Sequence, residues 1–453
     1  MPDFDICSFG AREDGPDNSA ALGKALAAVK EAGGGVLRIG PGIWRTGPVE
    51  IFSHTTLVME EGAVLSFIPE PERYTPVWSR WEGVECYCSH PLVFAVNQED
   101  ITIKGKGCFD GSGSVWWNLL REKRRRAQKE PESAQEKEFA RLNENYKQQP
   151  SGGGGREIQF LRPPLVQFLR CSGIHIEGIS LVNSPFWTIH QVFCQDIVLR
   201  ELTISNPKDA PNTDGIDIDS CADVLIENCR VAVGDDGIVL KSGSGEEGVH
   251  GGNPTRNVTI RGCIIEEGHG GIVIGSETAA GVYGILAEHC FFKGTQRGIR
   301  IKTRRGRGGQ IKDLEFRDLI MENNLCPFVV NMYYYCGAED ELGKPGGCFS
   351  PEQLPVNSLT PSIKNIHVSG IKARGCRASA GFIAGLPESP VENIRLADCS
   401  FSTDEVNGVS PTESDMFLGI PEVKERSFRF LNVKNTEFSG VTVSGPAEAF
   451  IYR

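Results

Sequence analysis

The strongest constraint on this chain is a short strand pattern that keeps returning. Ile174-His175-Ile176, Ile197-Val198-Leu199, Val224-Leu225-Ile226, Val258-Thr259-Ile260, Ile285-Leu286-Ala287, Leu314-Glu315-Phe316, Ile366-His367-Val368 and Ile394-Arg395-Leu396 each put apolar residues at alternate positions. Side chains alternate across a strand, so each run has one face to bury and is too short to bury it alone. Successive central runs lie roughly 23 to 34 residues apart, a period that stacks repeats into a solenoid with one continuous interior. The expectation is an all-β chain forming a single domain over residues 1–453.

A second column follows from the same count. Five residues beyond the start of each run stand Cys229, Cys263, Cys290 and Cys399, or Ile179, Leu202, Leu319 and Ile371. A cysteine that alternates with leucine and isoleucine acts as a small buried hydrophobe. The fifteen cysteines are therefore expected to be free thiols, as in a reducing compartment. Met1-Pro2-Asp3-Phe4-Asp5-Ile6 has no basic stretch leading into a long apolar run, and the chain reads as cytoplasmic. No later stretch is long and apolar enough to span a bilayer, so no membrane partner is expected.

Two segments stand outside the repeat. Ser19 to Ala32 has helical spacing and stops at Gly33-Gly34-Gly35; it reads as a helix capping one end of the solenoid, with residues 1–67 forming the cap and first coils. Residues 118–155 form a charged insertion, dense in ions from Asn118 to Lys147, broken by Pro131 and followed by a hinge at Gly152 to Gly155. It is expected to be a solvated helical excursion rather than a lid.

Superposing the central coils from Val224, Val258 and Ile285 brings Gly237, Gly271 and Gly298 to one position. Ile238, Ile272 and Ile299 then face inward, and Val239, Val273 and Arg300 outward, followed by Lys241, Gly275 and Lys302. On the outward parity before the glycine lie Asp235, His269 and Gln296, one coil apart, about 4.8 Å along the stack. Anchoring the preceding coil on Gly215 sets Asp214 level with Asp236, and Asp217 level with Arg300. Gly234 and Gly237 allow a bend or bulge that turns Asp235 and Asp236 into one cleft.

Three carboxylates, an imidazole and two cations on one surface fit glycoside hydrolysis, which needs a proton donor and a second carboxylate. The cations fit an acidic sugar, since arginine grips a carboxylate in bidentate fashion. The formal net charge of -12 argues against nucleic acid as a partner. Asp219 with Ser220 reads as turn chemistry and Lys241 as a surface lysine. Arg304, Arg305 and Arg307 read either as a solvated turn or as an extension of the anion site.

Asn212-Thr213-Asp214-Gly215, Gly234-Asp235-Asp236-Gly237, Gly268-His269-Gly270 and Arg300-Ile301-Lys302, in this order and spacing, resemble glycoside hydrolase family 28, the polygalacturonases. Phe9-Gly10-Ala11 and the stretch from Asp14-Gly15 to Val36 resemble the family's opening coil and cap. The resemblance implies a right-handed parallel β-helix of the pectin-lyase-like type, with Asp235 as general acid and with Asp214 and Asp236 activating water for an inverting cleavage. It implies that His269 supports the acid and that Arg300 and Lys302 bind a galacturonate carboxylate. Tyr334 of Tyr333-Tyr334-Tyr335 matches a family tyrosine, and Asn212 and Asp217 match residues lining the cleft. Arg80-Trp81-Glu82-Gly83, Trp116-Trp117 and Arg300 to Gly309 resemble bacterial exo-acting members, which implies release of galacturonic acid from pectic oligosaccharides or polygalacturonate. No cofactor and no metal is implied.

Rhamnogalacturonan or xylogalacturonan hydrolysis is an alternative within the family. A calcium-dependent pectate lyase, with the aspartates as oxygen ligands, and a non-catalytic glycan-binding solenoid are alternatives outside it.

Overall fold

The computed structural model describes residues 2–148, 162–338 and 342–452. The Gly152 to Gly155 hinge lies outside the described residues. Tertiary contacts gather into two compact units: the first runs to Asp235 without Glu82–Val84, and the second holds Glu82–Val84 and the chain from Asp236 onward.

In the first unit a representative coil consists of strands Ser172–Glu177, Ser180–Val182 and Ile189–Val192. Each pairs in parallel with its counterparts in neighbouring coils, and the pairing places the apolar residues of the repeat one above another. Ile101, Ile174, Ile197 and Val224 form one column, and Phe109, Leu181, Ile204 and Val231 another. The second unit repeats the scheme, with Val258, Ile285, Leu314, Ile366 and Ile394 in one column. The fold is a parallel β-helix, mostly strand, as the sequence period predicts.

The cysteine column is buried as expected, Cys229, Cys263, Cys290 and Cys399 being at most 2% exposed, and all fifteen cysteines are free thiols. Outside the core, Asn365 donates to Asp313, Asn393 to Asn365 and Asn435 to Asn393, at 2.7, 2.9 and 3.1 Å. All four residues have φ between 55° and 59°, the left-handed region that Asn and Asp tolerate, so this ladder turns each coil at the same point.

The cap helix is Ser19–Glu31, burying Ala21, Leu22, Ala25, Leu26 and Val29 against the first strands. The insertion is helical over Ser114–Arg125 and Ala134–Leu142. Most of its side chains are exposed, but Leu120 and Phe139 are buried and dock it, and just before it Trp117 Nε1 donates to the Ser184 carbonyl at 3.0 Å. The reason is amphipathicity that charge density concealed, because one apolar stripe remains among the ions.

Phe139 packs with Trp81, Cys86, Cys88, Phe186 and Trp187, beneath a hairpin of strands Pro76–Trp81 and Val84–Ser89. The hairpin lies over the outward face of the first unit's third sheet. Ser79 Oγ donates to Gln167 at 2.5 Å, Arg80 pairs with Asp219 at 3.0 Å, and Trp81 stacks on Phe186 at 4.0 Å.

Among the described residues no helix is long and apolar enough to cross a membrane. Leu26→Ala is expected to cost about 2–5 kcal/mol in chemical unfolding through loss of cap packing. Lys24→Ala on the exposed face of the same helix should stay within about 0.5 kcal/mol.

Candidate active site

In the first unit two aspartates lie at the ends of turns. Asp214 is buried and Asp235 half-buried, and each brings a carboxylate oxygen within 4.8 Å of the other. The Thr213 hydroxyl ties their two turns together, donating to the Ala210 carbonyl at 3.0 Å and accepting from the Gly234 amide at 3.3 Å. Gly234 and Asp235 form a bend, and the strand Asp236–Lys241 starts only at Asp236. Strand alternation therefore does not apply to Asp235, and of the bend or bulge expected there the chain forms a bend.

Asn212 adopts φ 54°, and its Oδ1 accepts from the buried Arg162 at 2.7 Å. Arg162 also donates to the carbonyls of Pro185 and Pro211 at 3.1 and 2.6 Å, clamping the loop that leads to Asp214. Asp217 is fully buried, level with His190, which is itself level with Gln167.

Asp236 follows Asp235 by one peptide bond and begins the second unit, where it faces two cations. Asp236, Gly270 and Arg297 are level in three successive strands, and Val239, Val273 and Arg300 form the next outward column, as the sequence superposition predicts. Arg300 Nη1 donates to Asp236 Oδ1 at 2.8 Å and Lys302 Nζ to Oδ2 at 2.6 Å. Both cations reach across the coil that carries Gly270. A Cβ on Gly270 would lie 2.8 Å from Asp236 Oδ1 and 3.2 Å from Arg300 Cδ, so only glycine leaves this path clear.

Burial alone would raise the Asp236 carboxyl. Arg300 and Lys302 outweigh it, with His269 adding to their effect, and hold the group well below the usual carboxylate range.

Tyr334 covers the two cations, its ring centroid 5.6 Å from Arg300 Cζ and 5.3 Å from Lys302 Nζ. Burial pushes its phenol well above the ordinary value, so it stays neutral. The tyrosine run thus divides: Tyr334 meets Arg300 and Lys302, while Tyr333 stacks under Arg305. Half-buried His269 lines a cavity of about 500 Å³ with Gln296, Arg297, Tyr335 and residues from Thr412 to Glu422.

Several expectations change. Lys241 is not on the surface: it is 3% exposed and pairs with buried Glu277 at 2.9 Å. Burial would raise Glu277, but Lys241 and Arg307 hold it low. Asp219 does more than turn chemistry, since it bonds Arg80 and stands 3.5 Å from His190.

The basic run is not a solvated turn, since Arg304, Arg305 and Arg307 are buried. Arg305 pairs with Glu388 and donates to the carbonyls of Cys348, Ser350 and Glu352, while Arg304 donates to those of Cys336 and Gly337. These arginines clamp loops. For Lys241 the signal was present, in its shared column with Lys302. For Arg80, 139 residues from its partner Asp219, no spacing foretold the contact.

The comparisons agree with this geometry. A family model described as "Glycosyl hydrolases family 28" matches residues 157–376. A probable polygalacturonase of Vitis vinifera is 28% identical over 404 residues, covering 87% of this chain and 73% of that protein. An endo-polygalacturonase of Pectobacterium carotovorum is 26% identical over 339 residues, covering 70% and 73%. The crystal structure of a hyperthermoactive exopolygalacturonase from Thermotoga maritima superposes with a TM-score of 0.78 at 28% identity, covering 98% of this chain and 92% of that one. With the same stacked coils and the family's motifs at the positions just described, the chain is similar to glycosyl hydrolase family 28 over residues 157–376.

Proposed function

We propose that this protein hydrolyses α-1,4-linked galacturonic acid in polygalacturonate or its oligomers, releasing one sugar at a time from a chain end. The observation that carries the reading is the buried clasp of Asp236 by Arg300 and Lys302. It holds one carboxylate ionised beside half-buried Asp235, so adjacent residues have different environments and can take opposite roles.

Asp235 donates a proton to the glycosidic oxygen as the bond to the anomeric carbon breaks. Asp236, with Asp214, takes a proton from the water that attacks that carbon. His269 supports the acid. Arg300, Lys302 and Tyr334 receive the substrate carboxylate, and Asn212 lines the path, whereas Asp217, matched to a cleft residue by sequence, is fully buried and acts from behind the surface. The same clasp disfavours a calcium-dependent lyase, because two cations already face Asp236 and would repel a third charge of the same sign.

Support for action at a chain end comes from the hairpin of Ser79, Arg80 and Trp81. Its side chains contact Gln167, Asp219 and Phe186, on or beside the strands before the acidic pair, where a long chain would otherwise run. The fifteen free thiols fit a reducing compartment, and cytoplasmic action on imported oligomers follows as part of the proposal.

A second stereochemical reading has its own observation. Carboxyl groups about 5–5.5 Å apart characterise retaining enzymes and wider pairs inverting ones. Asp214 and Asp235 bring carboxylate oxygens within 4.8 Å of each other, which is compatible with direct attack by a carboxylate, whereas the family resemblance favours inversion. We adopt inversion on the family resemblance, because the 4.8 Å bound is set on single carboxylate oxygens and not on the separation of the two carboxyl groups. Proton NMR during the first turnovers decides: β-galacturonate as the first anomer supports inversion, and the α-anomer overturns it.

Product analysis on trigalacturonate and polygalacturonate should give galacturonic acid alone from the start; a ladder of oligomers would refute chain-end action. Asp235→Asn is expected to lower kcat by at least about 100-fold with binding retained. Unchanged turnover would remove Asp235 from the acid role.

The sign of the Asp236 shift gives a further expectation. Its lowered pKa contributes stability that is present above the ordinary aspartate value, about 3.9, and is lost as pH falls below it. Lys302→Met should raise that pKa and move the acidic limb of kcat, at saturating substrate, to higher pH. An unmoved limb would dissociate Asp236 from catalysis.

A further inference from the structure

The cavity beside His269 has a wall that the hydrolytic roles do not use. Residues 412–422 cross the outward side of strands Arg297–Lys302 and Cys326–Asn331 and are held there by buried polar anchors. Arg297 Nε donates to the Ser414 carbonyl at 2.9 Å, and Asn331 Nδ2 donates to those of Asp415 and Met416 at 2.9 and 3.0 Å. Arg429 pairs with the Asp415 carboxylate through two bonds of 2.7 and 2.9 Å, both residues being at most 3% exposed. Phe417 packs on Phe382 and bridges to Tyr334. A segment with this many buried anchors is a fixed wall rather than a mobile lid.

At its centre Met416 adopts φ 48°, unusual for a residue with a side chain, and this turns its thioether onto Arg300, whose Nη2 lies 3.0 Å from Sδ. A thioether is a weak acceptor, so a carboxylate arriving at Arg300 replaces a poor partner with a strong one. The rim of the same cavity carries the exposed carboxylates of Glu413 and Glu422. Arg300 therefore attracts one acidic group, while the rim opposes any that follow.

We propose that residues 412–422 are a specificity wall: they admit the uronate that engages Arg300 and, through Glu413 and Glu422, turn away a continuing polyanion, so that the enzyme prefers short oligouronides to long polygalacturonate. The proposal rests on the polyuronide hydrolase reading above and adds its chain-length preference.

The test compares kcat/KM on trigalacturonate and polygalacturonate at low ionic strength for three proteins: wild type, Glu413→Gln with Glu422→Gln, and a control, Glu392→Gln with Glu437→Gln. The control removes the same charge from a different sheet. The rim variant is expected to gain about fivefold on the polymer and to change by less than about twofold on the trimer, and added salt should shrink the gain. The control should move neither. A rim variant whose polymer-to-trimer ratio equals that of wild type, or a control that shifts as much, overturns the wall. A wild-type protein that releases no galacturonate from the trimer overturns instead the hydrolase reading on which the wall rests.

Discussion

Coil-to-coil hydrogen bonding is the constraint on which everything else depends. Parallel strands sit about 4.8 Å apart, so a residue at a given offset in one coil stands directly above its counterpart in the next. Ile272 over Ile238 and Ile299 over Ile272 follow from this, as do the buried cysteine column and the Asn365, Asn393 and Asn435 ladder. The same rule that fills the interior with aliphatic residues lines up polar groups outside it. A binding surface is thus a by-product of the way the core is packed.

On that outward surface the chain buries charge. Asp236 with Arg300 and Lys302, Glu277 with Lys241, and Asp415 with Arg429 are all nearly inaccessible. Burying ions costs desolvation energy that their mutual attraction roughly offsets, so such pairs are weak sources of net stability. What they supply is position: a guanidinium with one nitrogen committed to Asp236 and another turned toward Met416 has few orientations left. Arg297 shows the electrostatic consequence, its pKa lowered to about 10 by burial and by neighbouring Arg300. A uronate carboxylate entering this environment meets an excess of positive charge.

Local pattern carried much of the site. The level placement of Val239, Val273 and Arg300 was legible because the coils superpose without gaps from their first strands. The helix of the cap was legible from its apolar spacing. Asp235 was harder, since alternation holds only inside a strand and the strand begins one residue later. The docking of the insertion was harder to read, because its ions outnumber the residues, Leu120 and Phe139, that anchor it. Lys241 was read as a surface lysine and Asp219 as turn chemistry because their partners, Glu277 and Arg80, lie in a loop and a hairpin that the repeat does not describe.

By itself, then, the sequence determined the stacked strands, the free buried thiols and the family motifs that nominate Asp214, Asp235, Asp236, His269, Arg300 and Lys302. These depend on period and offset, which a linear chain records. Only the tertiary structure decided that Arg300 and Lys302 hold Asp236, that Gly270 is a clearance for that contact, and that Met416 and its loop stand over Arg300. Those contacts join residues 64 to 116 positions apart through side-chain reach, not through coil register, and no repeat in the sequence encodes them.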